Sequence, residues 1–220
     1  MEQIQEALLM QEKLAAAERV LIGIGGKWKI QGRLSDVENQ AVQEAYGRLC
    51  QMVEGKDYFI VTTLTDGALY DTAFEKERFV APCGNIHWKQ CAKTCTKDIW
   101  EEGEVPDGIC PHCGAPLIGN TIEAETYIEE GYLPMWKKYQ LWLTTTLNRE
   151  LVVLELGEGF RTPTVIRWPF EKTVFFNQKA WMFRIDDDLC QVPQEIRERA
   201  TSIKADPVAW IRAYGSSGSL

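Results

Sequence analysis

The sequence predicts an α/β protein: a Rossmann-like, doubly wound parallel sheet with an inserted four-cysteine zinc-binding module. Six short apolar runs are spread along the 220 residues, helical patterns separate them, and four cysteines fall in two close pairs. Most of the runs lack polar alternation, so both of their faces are expected to be covered, as crossover helices cover a parallel sheet. With 45% hydrophobic residues the chain can bury one main core. The expected organisation is a discontinuous Rossmann-like domain, 1–88 and 119–214, around a zinc module at 89–118. The GSSGSL tail, 215–220, has too little to bury and is expected to be disordered.

The first twenty residues place Leu8, Leu9, Ala15 and Ala16 among charges at helical intervals, which predicts an amphipathic helix and no signal peptide. The first strand is Val20 to Ile24. Ser35, Asp36 and Glu38 then lead into a helical stretch, Asn39 to Val53. Tyr58 to Thr62 and Phe79 to Ala81 read as the next two strands, and Tyr132 to Leu147 as a helix. Leu151 to Leu156, Trp181 to Ile185 and Thr201 to Lys204 complete the set. Trp136, Trp142 and Trp168 read as core residues at helical spacing. No run of eighteen apolar residues occurs, so no membrane span is expected. The net charge of -8 argues against nucleic acid, whose binding is driven by lysine and arginine on the phosphates.

In a doubly wound order the sheet reverses between the first and fourth strands, and ligands bind outside the carboxyl ends there. Glycines stand at both ends: Gly23-Ile24-Gly25-Gly26 after the first strand, and Gly157-Glu158-Gly159-Phe160-Arg161-Thr162-Pro163 after the fourth. Backbone amides in such turns can approach a phosphate closely. Trp28 occupies the place of a third fingerprint glycine, so two tight turns is the competing reading. Their joint placement favours a binding crevice.

Cys91-Ala-Lys-Thr-Cys95 and Cys110-Pro-His-Cys113, with residues 96–109 between them, have the spacing of paired zinc knuckles. Four thiolates close the coordination sphere, so the expected zinc is structural. A redox dithiol or disulfides would explain the pairs less completely. Seven cysteines, unevenly spread, suit a reducing cytoplasm. His112 is expected to face solvent, and Cys50 and Cys190 to be small structural residues.

The order of these features resembles the sirtuins: a strand ending in glycines, Thr62-Thr63-Leu64-Thr65-Asp66, Cys83-Gly84-Asn85, the cysteine knuckles, then a Gly-x-Gly strand end. The stretch LELGEGFRTPTVIRWPF is similar to a Thr-Pro-containing loop of the macrodomain-linked sirtuins, a class associated with protein ADP-ribosylation. The resemblance implies an NAD or ADP-ribose site using Gly23, Gly25, Gly26, Thr63, Asp66, Gly157, Glu158, Gly159 and Asp186. It also implies losses. The family's mobile cofactor loop is missing after Trp28, Leu64 replaces an asparagine of the Thr-Gln-Asn-Ile-Asp motif, and Cys83 replaces a general-base histidine. Asp66 and Cys83 are the remaining catalytic candidates, with Cys83 activated by His87 as one possibility.

Three functions follow. The leading one is a degenerate sirtuin that binds NAD or ADP-ribose with lost or weak catalysis. The second is an active NAD-dependent protein ADP-ribosyltransferase or deacylase, and the third a structural protein acting through a protein partner.

Overall fold

A computed structural model describes residues 2–214; the tail expected to be disordered lies outside the described residues. The chain runs α1 Glu2–Ala16, β1 Arg19–Ile24, α2 Gln40–Met52, β2 Asp57–Thr62, β3 Phe79–Val80, β4 Gly84–Cys91, β5 Trp100–Glu101 and β6 Leu117–Thr121. It continues through α3 Leu133–Thr144, β7 Leu151–Leu156, α4 Arg167–Phe176, β8 Ala180–Ile185, β9 Ala200–Ile203 and α5 Pro207–Ala213.

All six expected strands pair in parallel in the order β3-β2-β1-β7-β8-β9. The reversal falls between β1 and β7, the first and fourth of them. Period-two geometry sends alternate side chains to opposite faces. Val20, Ile22 and Ile24 meet α1, α2 and α5 through Leu14, Tyr46, Leu49 and Ile211. Leu21, Val153 and Met182 meet α3 and α4 through Tyr139, Trp142, Phe170 and Val174. Both faces are therefore apolar, which is why these strands lack alternation.

Several boundaries move for local reasons. β3 stops at Val80, because Pro82 has no N–H to extend a ladder. α2 starts at Gln40, and the buried Asn39 before it ties down the preceding loop instead of capping: its amide donates to the carbonyls of Gln31 at 2.7 Å and Arg33 at 2.8 Å. α3 ends at Thr144, where three consecutive threonine hydroxyls bond back to Leu141, Trp142 and Leu143. α4 and α5 are helices beyond those expected. α5 carries a readable start, with Asp206 Oδ1 accepting from Ala209 N at 2.7 Å and Pro207 in the first turn.

Residues 84–121 carry a second, antiparallel sheet in the order β5-β4-β6. It runs past both ends of the 89–118 span read from the cysteines. Of the tryptophans, Trp142 is buried and donates to Asp57 Oδ1 at 2.8 Å. Trp136 packs half-buried against Tyr139, but Trp168 is 48% exposed, a departure from the core expectation. Among the described residues no helix is long and apolar enough to cross a membrane.

Two strands carry a charge where the pattern is apolar. Glu155 of β7 and Arg184 of β8 are fully buried in a two-pronged pair, Nε to Oε1 at 2.7 Å and Nη2 to Oε2 at 2.8 Å. Arg167 of α4 adds a contact to Glu155 Oε1 at 3.3 Å, and Glu171 one to Arg184 Nη2 at 2.7 Å. Removing one partner strands buried charge. Glu155→Gln is expected to lower stability by about 3 kcal/mol or more, whereas Arg149→Gln, which breaks an exposed pair with Glu18, should cost under about 1 kcal/mol. Urea unfolding of both variants measures the contrast.

Candidate functional site

The carboxyl ends of β1, β2, β7 and β8 lie side by side, with Ile24 opposite both Thr62 and Leu156, and Leu156 opposite Ile185. The next residues of each strand form the crevice: Gly25, Thr63, Gly157 and Asp186. The two glycine turns are laced together. Gly25 N donates to Leu156 O at 3.0 Å, Lys27 N to Gly157 O at 3.3 Å, and Gly157 N to Ile185 O at 2.9 Å.

Close approach explains the glycines inside the lacing. A Cβ on Gly25 would lie 2.4 Å from Glu158 Cα, and Gly157, at φ +67°, would place one 2.5 Å from the Lys27 Cβ. Gly23 sits within β1 against Ile166 and Phe170 of α4. Gly26 and Gly159 differ, since a Cβ there would meet nothing within 4 Å. The inner glycines are needed for turn packing, and the outer two leave backbone open at the rim.

Glu158 fills the gap between the turns. Its Oε2 accepts the Thr63 hydroxyl at 2.7 Å, and its carbonyl accepts from Arg167 Nη1 at 3.1 Å. Burial pushes this carboxyl up to about 7, against the lowering effect of the Thr63 hydrogen bond. On the far side, Asp186 Oδ1 accepts from the amides of Asp188 at 2.8 Å and Leu189 at 2.7 Å. Lys27 reaches Asp187 at 2.7 Å and Asp188 at 3.2 Å, and these hydrogen bonds, Asp187 first, hold its ammonium above the ordinary range.

Asp66 is engaged by backbone. Oδ2 accepts from Ile30 N at 3.0 Å and Oδ1 from Ala68 N at 3.1 Å, so the carboxylate clasps the segment after Trp28 to the end of β2. That segment is built into the core, with Trp28, Ile30 and Leu34 all buried and Trp28 against Tyr46. Leu64 is buried beside it. Asp66 and Gly67 also line a neighbouring cleft of about 600 Å³, with Arg33, Lys76, His87 and Trp88 on its walls.

Cys83 is buried, and burial pushes its thiol up to about 11, a Thr162 hydrogen bond opposing. His87 turns elsewhere, half-exposed, with Nδ1 3.0 Å from Glu102 Oε2. The two face different partners, so the structure does not form a cysteine–histidine nucleophile pair. Cys50 is half-buried and Cys190 buried.

Cys91, Cys95, Cys110 and Cys113 converge, with all four Sγ atoms within 4.8 Å of one another. The closest pairs are Cys91–Cys113 at 3.6 Å and Cys95–Cys110 at 3.5 Å. Those separations are far beyond a disulfide's ~2.05 Å and near the ~3.8 Å edge of a tetrahedron with metal–sulfur bonds of ~2.3 Å. Backbone N–H groups, that of Cys95 foremost, hold the Cys91 thiol down to about 6. The set could hold zinc. Ala115 and Trp100 pack behind it, and His112 points outward to Asp98 Oδ2 at 2.7 Å.

Sequence reasoning singled out neither Arg167 nor the Glu155–Arg184 pair. Their signal was present, as single charges inside LVVLEL and AWMFRI. Lys27 and its aspartate partners were also unforeseen, because they lie about 160 residues apart.

No protein-family model matches the chain. Among curated proteins it is 23% identical over 199 residues to a protein ADP-ribosyltransferase of Staphylococcus aureus, covering 81% of this chain and 63% of that protein. It is 25% identical over 144 residues to a probable bifunctional ADP-ribose hydrolase/ADP-ribosyltransferase of Fusarium oxysporum, covering 54% and 24%. The chain thus spans less than two thirds of the length of either relative. Among solved structures, Sir2Tm bound to a propionylated peptide superposes with a TM-score of 0.65 at 12% identity, over 96% of this chain and 98% of that one. A Sir2 homologue complexed with NAD gives 0.60 at 11% identity over 94% and 91%. A Sir2 homologue complexed with ADP-ribose gives 0.58 at 13% over 97% and 99%. At these identities the likeness is one of fold: the chain has the fold of the Sir2 proteins.

Proposed function

We propose that this chain binds NAD or ADP-ribose in the crevice between the two glycine turns, with catalysis lost or weak, and that its four clustered cysteines hold a structural zinc ion. The observation that carries the binding reading is the open backbone of Gly26 and Gly159 at the switch point of a doubly wound sheet. Sir2 homologues of the same fold are described in complexes with NAD and with ADP-ribose.

Weak catalysis is supported by the state of the candidate groups. Asp66 is occupied with two backbone amides, and Cys83 is a buried thiol held protonated at neutral pH. The segment after Trp28 is packed into the core, whereas closure over a substrate needs a segment that moves. The alternative, an active transferase, is favoured by the names of the two curated relatives. Free cysteines suit a reducing cytoplasm, and a protein partner would supply the readout of a bound ligand.

Calorimetry and thermal unfolding of the zinc-loaded chain with NAD and ADP-ribose test the reading. Ligand at a hundredfold excess over Kd adds about 2.7 kcal/mol, so Tm should rise by roughly 5–10 °C. Nicotinamide release in the same samples should be absent. Release would favour the transferase, and no shift with either ligand would sink the binding reading.

Zinc has a separate test. Atomic emission should find about one zinc per chain, falling below about 0.1 in Cys110→Ser because a three-sulfur site loses closed coordination. Wild-type protein that carries no zinc and takes none up on titration would remove zinc from the account.

A further inference from the structure

Beyond the dinucleotide reading, on which this inference rests, the crevice carries a feature that bears on how phosphates are held there. The Glu158 carboxyl is only 2% exposed and lies where the two turns come closest: a Cβ on Gly25 would sit 2.5 Å from its Oε2, the same atom that accepts the Thr63 hydroxyl at 2.7 Å. Its backbone is pinned by Arg167 Nη1 at 3.1 Å. The carboxyl cannot leave the crevice without breaking this packing.

Charged and titratable groups approach it from every neighbouring element. Within β7 lies Glu155, after β8 lies Asp186, and both raise its proton affinity, while Arg167 of α4 lowers it. Cys83, after β3, feels the Glu158 charge in turn. Lys27, whose stem lies over Gly157, has its ammonium turned to Asp187 and Asp188 and offers no cancelling charge. Burial leads, and leaves the carboxyl close to half protonated at neutral pH.

The consequence for an anionic ligand is direct. An ionised Glu158 repels a pyrophosphate at the rim, whereas the neutral acid has an O–H to donate to it. We propose that Glu158 binds the pyrophosphate of a dinucleotide as a neutral carboxylic acid, so that the ligand enters together with one proton. No covalent bond forms or breaks. The proton comes from solvent, rests on Glu158, and is shared with a phosphate oxygen in the complex. The ligand class this selects is a pyrophosphate diester, and the crevice discriminates against it as pH rises.

The test is calorimetric titration of ADP-ribose, whose pyrophosphate stays ionised throughout, into the zinc-loaded chain at about pH 6 and about pH 8, in buffers of different ionisation heat. Affinity should fall about tenfold across this interval, with net proton uptake approaching one at the upper end. Glu158→Gln should bind with the same affinity at both pH values and take up no proton, which also separates Glu158 from His87 and His112. Thr63→Val removes the hydrogen bond that favours the anion, so its loss of affinity should begin at higher pH, and this variant stands in should Glu158→Gln not fold. Binding that is independent of pH, or accompanied by proton release, overturns the proton role and leaves the dinucleotide reading intact. No binding to wild type or Glu158→Gln at any pH overturns both.

Discussion

The Arg167 guanidinium, buried beneath the carboxyl edge of the sheet, is the contact on which the candidate site depends. It carries five N–H donors with almost no access to water, so the protein itself must supply acceptors. It finds Glu155 Oε1, the carbonyl of Glu158, and the carbonyls of Leu189 and Gln191. One side chain thereby ties the start of α4 to the turn after β7 and to the segment after β8. A buried ion cluster is weak support for stability, since well-packed apolar residues often do as well. Its use here is positional: besides the Glu155 carboxylate, the acceptors are backbone carbonyls of the turn after β7 and of the segment after β8, and a fixed backbone at Glu158 fixes where its side chain starts.

That network also shows where the sequence stopped being legible. The strands of the main sheet could be read because helices cover both faces, so burial leaves long apolar runs, and the cysteine knuckles because metal geometry constrains their spacing. α4 was hidden by Thr162-Pro163 before it and Pro169 in its first turn, residues that signal a loop when read locally but suit a helix N-terminus. Glu158 stands between Gly157 and Gly159 in the sequence and lies between the two turns in the structure. Its bond to Thr63 spans 95 residues of chain, and no local pattern encodes it. Glu155 and Arg184 were visible as charges in apolar strands, yet that they pair follows only once β7 and β8 are known to be adjacent, with Glu155 directly opposite Arg184.

Asp66 illustrates a different limit. A carboxylate after a strand of the main sheet reads as chemistry, and the two amides it accepts from, one of them 36 residues away, could not be read from the sequence. What it clasps is the run from Trp28 to Leu34, three of whose apolar side chains are in the core, and Asn39 secures the same run from α2. Anchoring of this kind makes the run a preformed wall beside Asp66. A wall that needs no ordering on ligand entry lowers the entropic cost of binding without helping any later chemical step.

The cysteine cluster joins this argument through the sheet it supports. β4 begins at Gly84, one residue after Cys83, and ends at Cys91, so a single strand runs from the crevice to the cluster. β6 returns along it to Thr121, after which Ile122 N donates to the Cys83 carbonyl at 3.0 Å and Glu123 pairs with Arg161 of the Gly159 turn. β4 and β6 therefore each have one end on the rim of the candidate site. With Cys91, Trp100, Cys110 and Ala115 as its buried cluster among the described residues, that sheet has little apolar area to hold it together. A metal ion held by the four clustered thiols would supply what the core lacks. The cluster, although remote from the glycine turns, is thus joined through β4 and β6 to the Cys83 and Arg161 side of the crevice.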